Sequence, residues 1–278
     1  SALLRAREHA GGETRDSVDE ALSEVRGLPP GLRLTALGGR SVEGDGSAGL
    51  RFAEARARAA TFLEVWGRYD RSLGTRLPAL VRGPDLLDGY WGGAEVEWGT
   101  PGRWVTLVEA GRRKYRDAGY AQNLLRVEQG VRVPTDRGHI RIRGGGVVGR
   151  WFDRDDWLAY VRAAIPVSLW ADVKPSVWVG ETLGTDLEGV GREPGREVRA
   201  VLGVELRPAP GLRIEPSVGY GDVEADPAGA TGSLWEAGLS ASVPVTAGAA
   251  LEIVARHQSP PAGGSFTVLA GGLRLSLP

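Results

Sequence analysis

Two residues near the C-terminus have the types and spacing of a hydrolytic pair. His257 and Ser259 lie two residues apart, on one face of a strand-like segment. A histidine base beside a serine can activate the hydroxyl, and near the outer leaflet of a membrane such a pair would act on lipid. No carboxylate is assigned to orient the ring, and a histidine at a strand end also serves as an interfacial residue tolerant of water and headgroups. The other two histidines, His9 and His139, are far away in sequence, and none of the three has a second histidine two or four residues on. No metal site is therefore expected. The absence of cysteine removes thiol nucleophiles, thiolate metal sites and disulfides. The run 143–149, RGGGVVG, is glycine-rich, but no phosphate-binding lysine follows it. It reads as a strand bend, and no cofactor is expected.

The more abundant chemistry is ionic. Projected onto strands with their apolar faces outward, the opposite face collects Glu54, Arg56, Arg58, Glu64, Arg68, Glu95, Glu97, Glu109, Arg113, Arg126, Glu128 and Arg132. It continues with Arg141, Arg143, Arg162, Arg199, Glu205, Arg207, Arg213, Glu215, Glu236, Glu252 and Arg256. The signs are mixed and lysine is nearly absent. Arginine makes planar bidentate pairs with carboxylates, which suits a crowded interior of low dielectric. On a lipid face each Arg would cost about 2–4 kcal/mol near the midplane. These groups are therefore expected to fill a lumen as Arg–Glu pairs, for example Glu236 with Arg213, leaving no wide aqueous channel.

The elements that must position them alternate with period 2. In the segment 211–222, Leu212, Ile214, Pro216, Val218 and Tyr220 fall on one face, and Arg213, Glu215, Ser217, Gly219 and Gly221 on the other. Segments 232–244 and 248–258 repeat the pattern: Trp235, Leu239, Val243, Leu251 and Ile253 share the apolar face. Successive side chains of a strand point to opposite faces, and strand after strand with one apolar and one charged face marks a membrane β-barrel. Fourteen strands are predicted: 31–40, 50–59, 61–72, 86–99, 103–115, 119–133, 138–151, 156–166, 172–183, 197–208, 211–222, 232–244, 248–258 and 265–277. A different reading of 50–72 makes them twelve. Short turns (Ala59-Ala60, 99–102, 134–138, 208–211, 246–248) alternate with longer connections (41–49, 73–85, 184–196, 223–231, 259–264) over most of the chain. The short side is expected in the periplasm.

Ahead of the barrel, Ser17 and Glu20 have capping-box spacing, and Val18, Ala21, Leu22 and Val25 form one helical stripe that ends at Gly27, Pro29 and Pro30. The expected organisation is a periplasmic segment over 1–30 with a short helix, then an all-β, antiparallel up-and-down barrel over 31–278. Aromatic residues cluster near strand ends, where Trp98, Trp104, Tyr115, Tyr120, Trp151, Trp157, Trp170, Tyr220 and Trp235 are expected to form interfacial girdles. The 278 residues carry a net charge of −1, which gives no argument for nucleic acid. Mean hydropathy is −0.18, and no stretch approaches the ~18 apolar residues of a spanning helix. There is no methionine, which suggests a removed signal peptide before Ser1.

Two stretches also carry a resemblance. RFAEARARAATFLEVWGRY (51–69) and GYWGGAEVEWGTPGRWVTLVEAGRRKY (89–115) resemble the YaiO family of outer-membrane β-barrels. The first resembles that family's early strands around a tight turn. The second resembles its hairpin of a Gly-x-Glu strand and a Gly-x-Arg-x strand. The match covers about a quarter of the chain. It implies the outer membrane of Gram-negative-type bacteria, and it implies little about activity. Outer-membrane barrels usually end in an aromatic residue that assists assembly, whereas this sequence ends Leu275-Ser276-Leu277-Pro278.

Three functional readings stay open. The first is a structural or interaction barrel in contact with outer-membrane lipid, self-associating as a homo-oligomer through its lipid-facing strands; Ala53, Ala55, Ala57 and Ala59 offer a small-residue face. The second is a passive pore or transporter of small solutes. The third is a lipid hydrolase.

Overall fold

The computed structural model describes residues 31–43, 46–71, 87–99, 103–115, 121–151, 154–181, 196–225, 230–246, 248–259 and 265–277. The expected 17–27 helix and Tyr120 lie outside these residues, as do the side chains of Tyr115 and Trp151. Fourteen strands form: β1 (Leu32–Glu43), β2 (Gly46–Ala60), β3 (Leu63–Arg71), β4 (Leu87–Trp98), β5 (Trp104–Tyr115), β6 (Ala121–Thr135) and β7 (Gly138–Trp151). They continue as β8 (Arg154–Ser168), β9 (Ala171–Glu181), β10 (Arg196–Ala209), β11 (Leu212–Ala225), β12 (Ala230–Thr246), β13 (Ala249–Ser259) and β14 (Phe266–Leu277). Each pairs antiparallel with the next, and β1 closes on β14 from Leu32↔Leu277 to Glu43↔Phe266, so no sheet edge is left open.

The sides of the wall follow from the alternation. On β6, Gln122, Leu124, Arg126, Glu128 and Gly130 are buried, while Asn123, Leu125, Val127 and Gln129 are exposed. Val127 is 45% exposed and Glu128 1%, the reverse of a water-soluble sheet. A one-residue slip would turn every guanidinium to the lipid and every valine to the lumen, so the two-sided pattern pins the register. Trp235, Leu239, Val243, Leu251, Ile253 and Val218 are all exposed on the outward face, as expected for lipid-facing residues, and Ile214 is half-buried there.

Turn chemistry sets the two ends. At one end the strands are joined through 61–62, 99–103, 136–137, 169–170, 210–211 and 247–248. Gly211 has φ +75° directly after Pro210, the sequence and geometry of a type II turn. The opposite end carries the long connections 72–86 and 182–195. Many strand bounds differ from the sequence reading by up to four residues, and two of the differences move a connection. The 41–49 connection is largely strand, because β1 runs to Glu43 and β2 starts at Gly46. No proline interrupts that stretch, and the sequence between the two strands, Gly44-Asp45, is a two-residue hairpin signal. The Ala59-Ala60 turn falls instead at Thr61-Phe62, since an irregularity between Arg58 and Ala60 lets β2 continue.

Apolar residues also occupy the lumen, in the half near the long connections. Trp91, Leu124, Val147, Leu158, Tyr160 and Trp178 form one cluster on the β4–β9 wall. Leu50, Phe52, Val268 and Ala270 form another, with Leu37 and Val254 packed against it, where β1, β2, β13 and β14 meet.

Candidate functional site

The lumen wall is laminated. Its first layer is backbone bared by glycine. Trp66 on β3 lies opposite Gly93 on β4, and a Cβ at Gly93 would stand 2.5 Å from the Trp66 ring. Trp91 lies opposite Gly111 on β5, where a Cβ would stand 2.1 Å from the Trp91 ring. Only glycine leaves room there for an indole to lie flat on the neighbouring strand. Guanidiniums form the next layer. Arg56 Cζ sits 4.4 Å from the Trp66 ring centre, and Arg68 and Arg113 sit 5.1 and 5.7 Å from that of Trp91. Cation–π contact and ion pairing then act on the same groups.

Carboxylates bind these layers together. Glu109 accepts from Trp66 Nε1 at 2.9 Å and pairs with Arg68 at 3.0 Å and Arg126 at 3.5 Å. Glu128 is the main hub: it pairs with Arg162 at 2.7 Å and Arg143 at 3.5 Å, with Arg126, and accepts from the Tyr160 hydroxyl. Arg143 grips Glu95 with two nitrogens, at 2.7 and 3.2 Å, and Arg132 is likewise bidentate on Glu97. Around the barrel, Asp172 takes Arg141 at 3.0 Å and Arg207 at 2.6 Å. Glu205 pairs with Arg207 at 2.8 Å, and Lys174 joins Glu205 to Glu215. Glu236 pairs with Arg199 at 2.7 Å and Arg256 at 2.8 Å and accepts from Gln258 at 2.8 Å. Arg274 pairs with Glu252 at 3.1 Å.

Within most of these pairs the cation is the outer partner. The Arg162 side chain is 40% exposed and Glu128 1%; Arg141 is 44% exposed and Asp172 6%. Arg207, Arg256 and Arg143 likewise lie above their carboxylates, whereas Arg199–Glu236, Lys174–Glu215 and Arg56–Glu64 reverse the order. Arg141, Arg143, Arg162 and Arg207 lie in the short-turn half of their strands. That half therefore turns guanidinium toward the lumen above a buried acidic layer. Near the long connections the inward residues are dry: Val147, Leu234 and Gln122 are 0% exposed, and Arg199 and Gln258 1%.

The sequence-predicted network is thus on the inner wall, with different partners from those expected. Glu236 is opposite Gly219, whereas Arg213 is opposite Ser242, six residues along β12 from Glu236. At ~3.4 Å per residue that separates their strand positions by about 20 Å, so Glu236 pairs with Arg199 and Arg256 instead. Apart from Arg126–Glu128 within β6 and Arg207–Glu205 within β10, the pairs described above link strands one to three apart. They coat the wall and do not cross the lumen. Tryptophans 66, 91 and 178 were not singled out as lumen residues; Trp66 and Trp91 face glycine on the next strand, and Trp178 lies opposite Tyr160 with ring centres 4.2 Å apart, contacts that appear only once register is known.

Of the residues expected to form girdles, Trp98, Trp104, Trp157, Tyr220 and Trp235 are exposed on the outward parity of their strands, and Trp170 is exposed in the 169–170 turn. Trp98 and Trp104 stack with ring centres 5.8 Å apart across the 99–103 turn. The hydrolytic pair is not assembled. His257 Nδ1 lies 2.9 Å from Thr267 Oγ1, directly opposite on β14, and among the described residues no hydrogen bond joins His257 to Ser259. No group of three or more His, Cys, Asp or Glu residues among the described residues could hold a metal ion.

No protein-family model matches the sequence, and no curated protein matches it. Solved structures do. The chain is similar to OpdL of Pseudomonas aeruginosa, at 12% identity and TM-score 0.52 over 90% of this chain and 98% of that one. It is similar to the NanC porin, at 11% identity and TM-score 0.50 over 87% and 98%. It is also similar to OccAB4 of Acinetobacter baumannii, at 8% identity and TM-score 0.50 over 90% and 98%. At such identities the likeness is one of fold. That fold is the closed antiparallel barrel of outer-membrane proteins, and with its outward apolar band it places the chain in the bacterial outer membrane. These matches support that class and not the YaiO family in particular.

Proposed function

We propose that the protein is a narrow outer-membrane pore for small anionic solutes, with a cation-faced vestibule on the periplasmic side and a constriction toward the long connections. The observation that carries this reading is the burial order of the ion pairs. Carboxylates such as Glu128 and Asp172 are submerged, and the guanidiniums of Arg162 and Arg141 form the surface a solute would meet. A wall that is nearly neutral by count is then cationic by exposure, and a fixed ring of one sign favours the opposite charge. Fourteen strands enclose more space than the eight whose side chains just fill a barrel and less than the sixteen of a wide porin. A pore agrees with the name of one structural neighbour, the NanC porin.

Planar-bilayer recording under a salt gradient tests it. Small conductance steps with a reversal potential on the anion side are expected. The triple change Arg141→Gln, Arg162→Gln, Arg207→Gln should lower the anion-to-cation permeability ratio several-fold. Cation selectivity, or the conductance of a wide porin, would overturn the reading. A second reading, a closed structural barrel, rests on the dry residues Val147, Leu234, Gln122, Arg199 and Gln258 near the long connections. It is the reading to adopt if purified, folded protein gives no channel events.

A further inference from the structure

The outward face holds a feature that the lumen does not explain. Near the long-connection end of β2–β7, basic side chains point away from the barrel at hydrogen-bonded neighbour positions. Arg51 is directly opposite Arg71, Arg71 opposite Asp88, and Asp88 opposite Lys114. One step nearer the apolar band, Tyr90 is opposite Arg112, Arg112 opposite Asn123, and Asn123 opposite Arg150. Their parity is outward, because Phe52, Arg68, Trp91, Arg113, Leu124 and Val147 on the same strands are buried inward. Arg51, Arg112, Lys114 and Arg150 are exposed.

Like charges directly opposed on neighbouring strands destabilise a sheet. The one carboxylate described in this row, Asp88, is engaged by Arg71 Nε at 3.2 Å and the Tyr69 hydroxyl at 2.7 Å. Among the described residues no carboxylate pairs with Arg51, Arg112 or Lys114. The height of the patch identifies its surroundings. On the outward face of β5, Trp104 stands at the short-turn end, followed by Thr106, Val108 and Ala110, then Arg112 and Lys114. From Trp104 to Arg112 and Lys114 is about 20–25 Å along the membrane normal, at ~3.4 Å per residue and ~40° tilt. That is the height of a barrel's apolar band, so the two cations emerge at the far interface, beside the Tyr69–Tyr90 ring pair. With the short turns in the periplasm, the far interface is the outer leaflet.

The geometry points to a seat for the phosphate groups of an outer-leaflet phosphorylated glycolipid, formed by Arg51, Arg112 and Lys114 with Arg71 and Arg150 beside them. Guanidinium forks match phosphate oxygens two at a time, and a headgroup anion beside Arg51, Arg112 and Lys114 supplies there the counter-charge that Asp88 supplies to Arg71. Outward arginines cost little at the interface compared with the midplane, so the patch is tolerable there even before lipid binds. The seat is confined to one side of the barrel, and it is independent of whether the lumen conducts.

The test is lipid retention by the folded barrel in detergent, followed by native mass spectrometry. The probes are a diphosphorylated acylated disaccharide, the same glycolipid after phosphatase treatment, and inorganic phosphate. The wild-type barrel should retain the phosphorylated lipid at least about tenfold better than the dephosphorylated one. Arg51→Gln, Arg112→Gln, Lys114→Gln together should abolish that preference, while heat-modifiable mobility on gels shows the variant folded. Charge reversal of Lys114 alone (Lys114→Glu) provides a milder second variant with a partial loss expected. Equal retention of both glycolipids, an unchanged preference in the triple variant, or protection by inorganic phosphate equal to that by lipid would each overturn the proposal.

Discussion

Glu128 shows how much one side chain holds in this wall. Its carboxylate faces Arg126, Arg143, Arg162 and the Tyr160 hydroxyl, on β6, β7 and β8. Removing one partner of a buried ion pair leaves its mates charged in a poorly solvated place, which costs about 3–5 kcal/mol. Glu128→Gln keeps the volume and removes the charge. It is expected to lower the urea midpoint of unfolding clearly, while Glu215→Gln, whose side chain is 35% exposed, should shift it little. Equal midpoints for the two variants would contradict the ranking. That these residues face inward was legible from alternation. Their partners were not, because pairing across two strands depends on register, and nothing in a linear pattern says that Glu128 meets Arg162 while Glu236 misses Arg213.

At the scale of the strand, existence was easier to read than extent. β11, β12 and β13 alternate so regularly that their outward faces follow from composition alone. The β1–β2 hairpin was harder, since glycine and serine over 41–49 look like loop residues whether or not they are paired. β3, β4 and β9 were read only in part: Trp66 shares the parity of inward Glu64 and Arg68, and Trp91 that of Glu95 and Glu97, whereas on β9 no inward charge was assigned to give Trp178 a direction. The glycine seats of β4 and β5 make this testable. A side chain at Gly111 meets the Trp91 ring at once, so Gly111→Val should lift the indole off the wall and into the lumen. Conductance in planar bilayers is expected to fall, and adding Trp91→Ala should restore it. A single change with wild-type conductance would mean that the ring has another way to move.

For the whole molecule, a soluble sandwich also sets charged faces opposite apolar ones, so the membrane barrel was readable only because that contrast repeats over fourteen segments with aromatics near strand ends and short turns alternating with longer connections. The fourteen-strand count, the outward apolar band and the bacterial outer-membrane location all descend from those patterns, while the helix expected over 17–27 lies outside the described residues. The barrel also separates its indoles into two environments that share no solvent. Trp98, Trp104, Trp157, Trp170 and Trp235 face the bilayer, whereas Trp66, Trp91 and Trp178 are buried on the inner side of the wall. In vesicles of brominated lipid the first group should be quenched and the second should keep emitting. The residual fluorescence is expected to disappear on changing Trp66, Trp91 and Trp178 to Phe, and quenching of the native chain to baseline would place those rings elsewhere. The barrel therefore carries an optical reporter of its own interior, with Trp66 and Trp91 set beside the guanidiniums of Arg56, Arg68 and Arg113 and shielded by a single sheet from everything in the membrane.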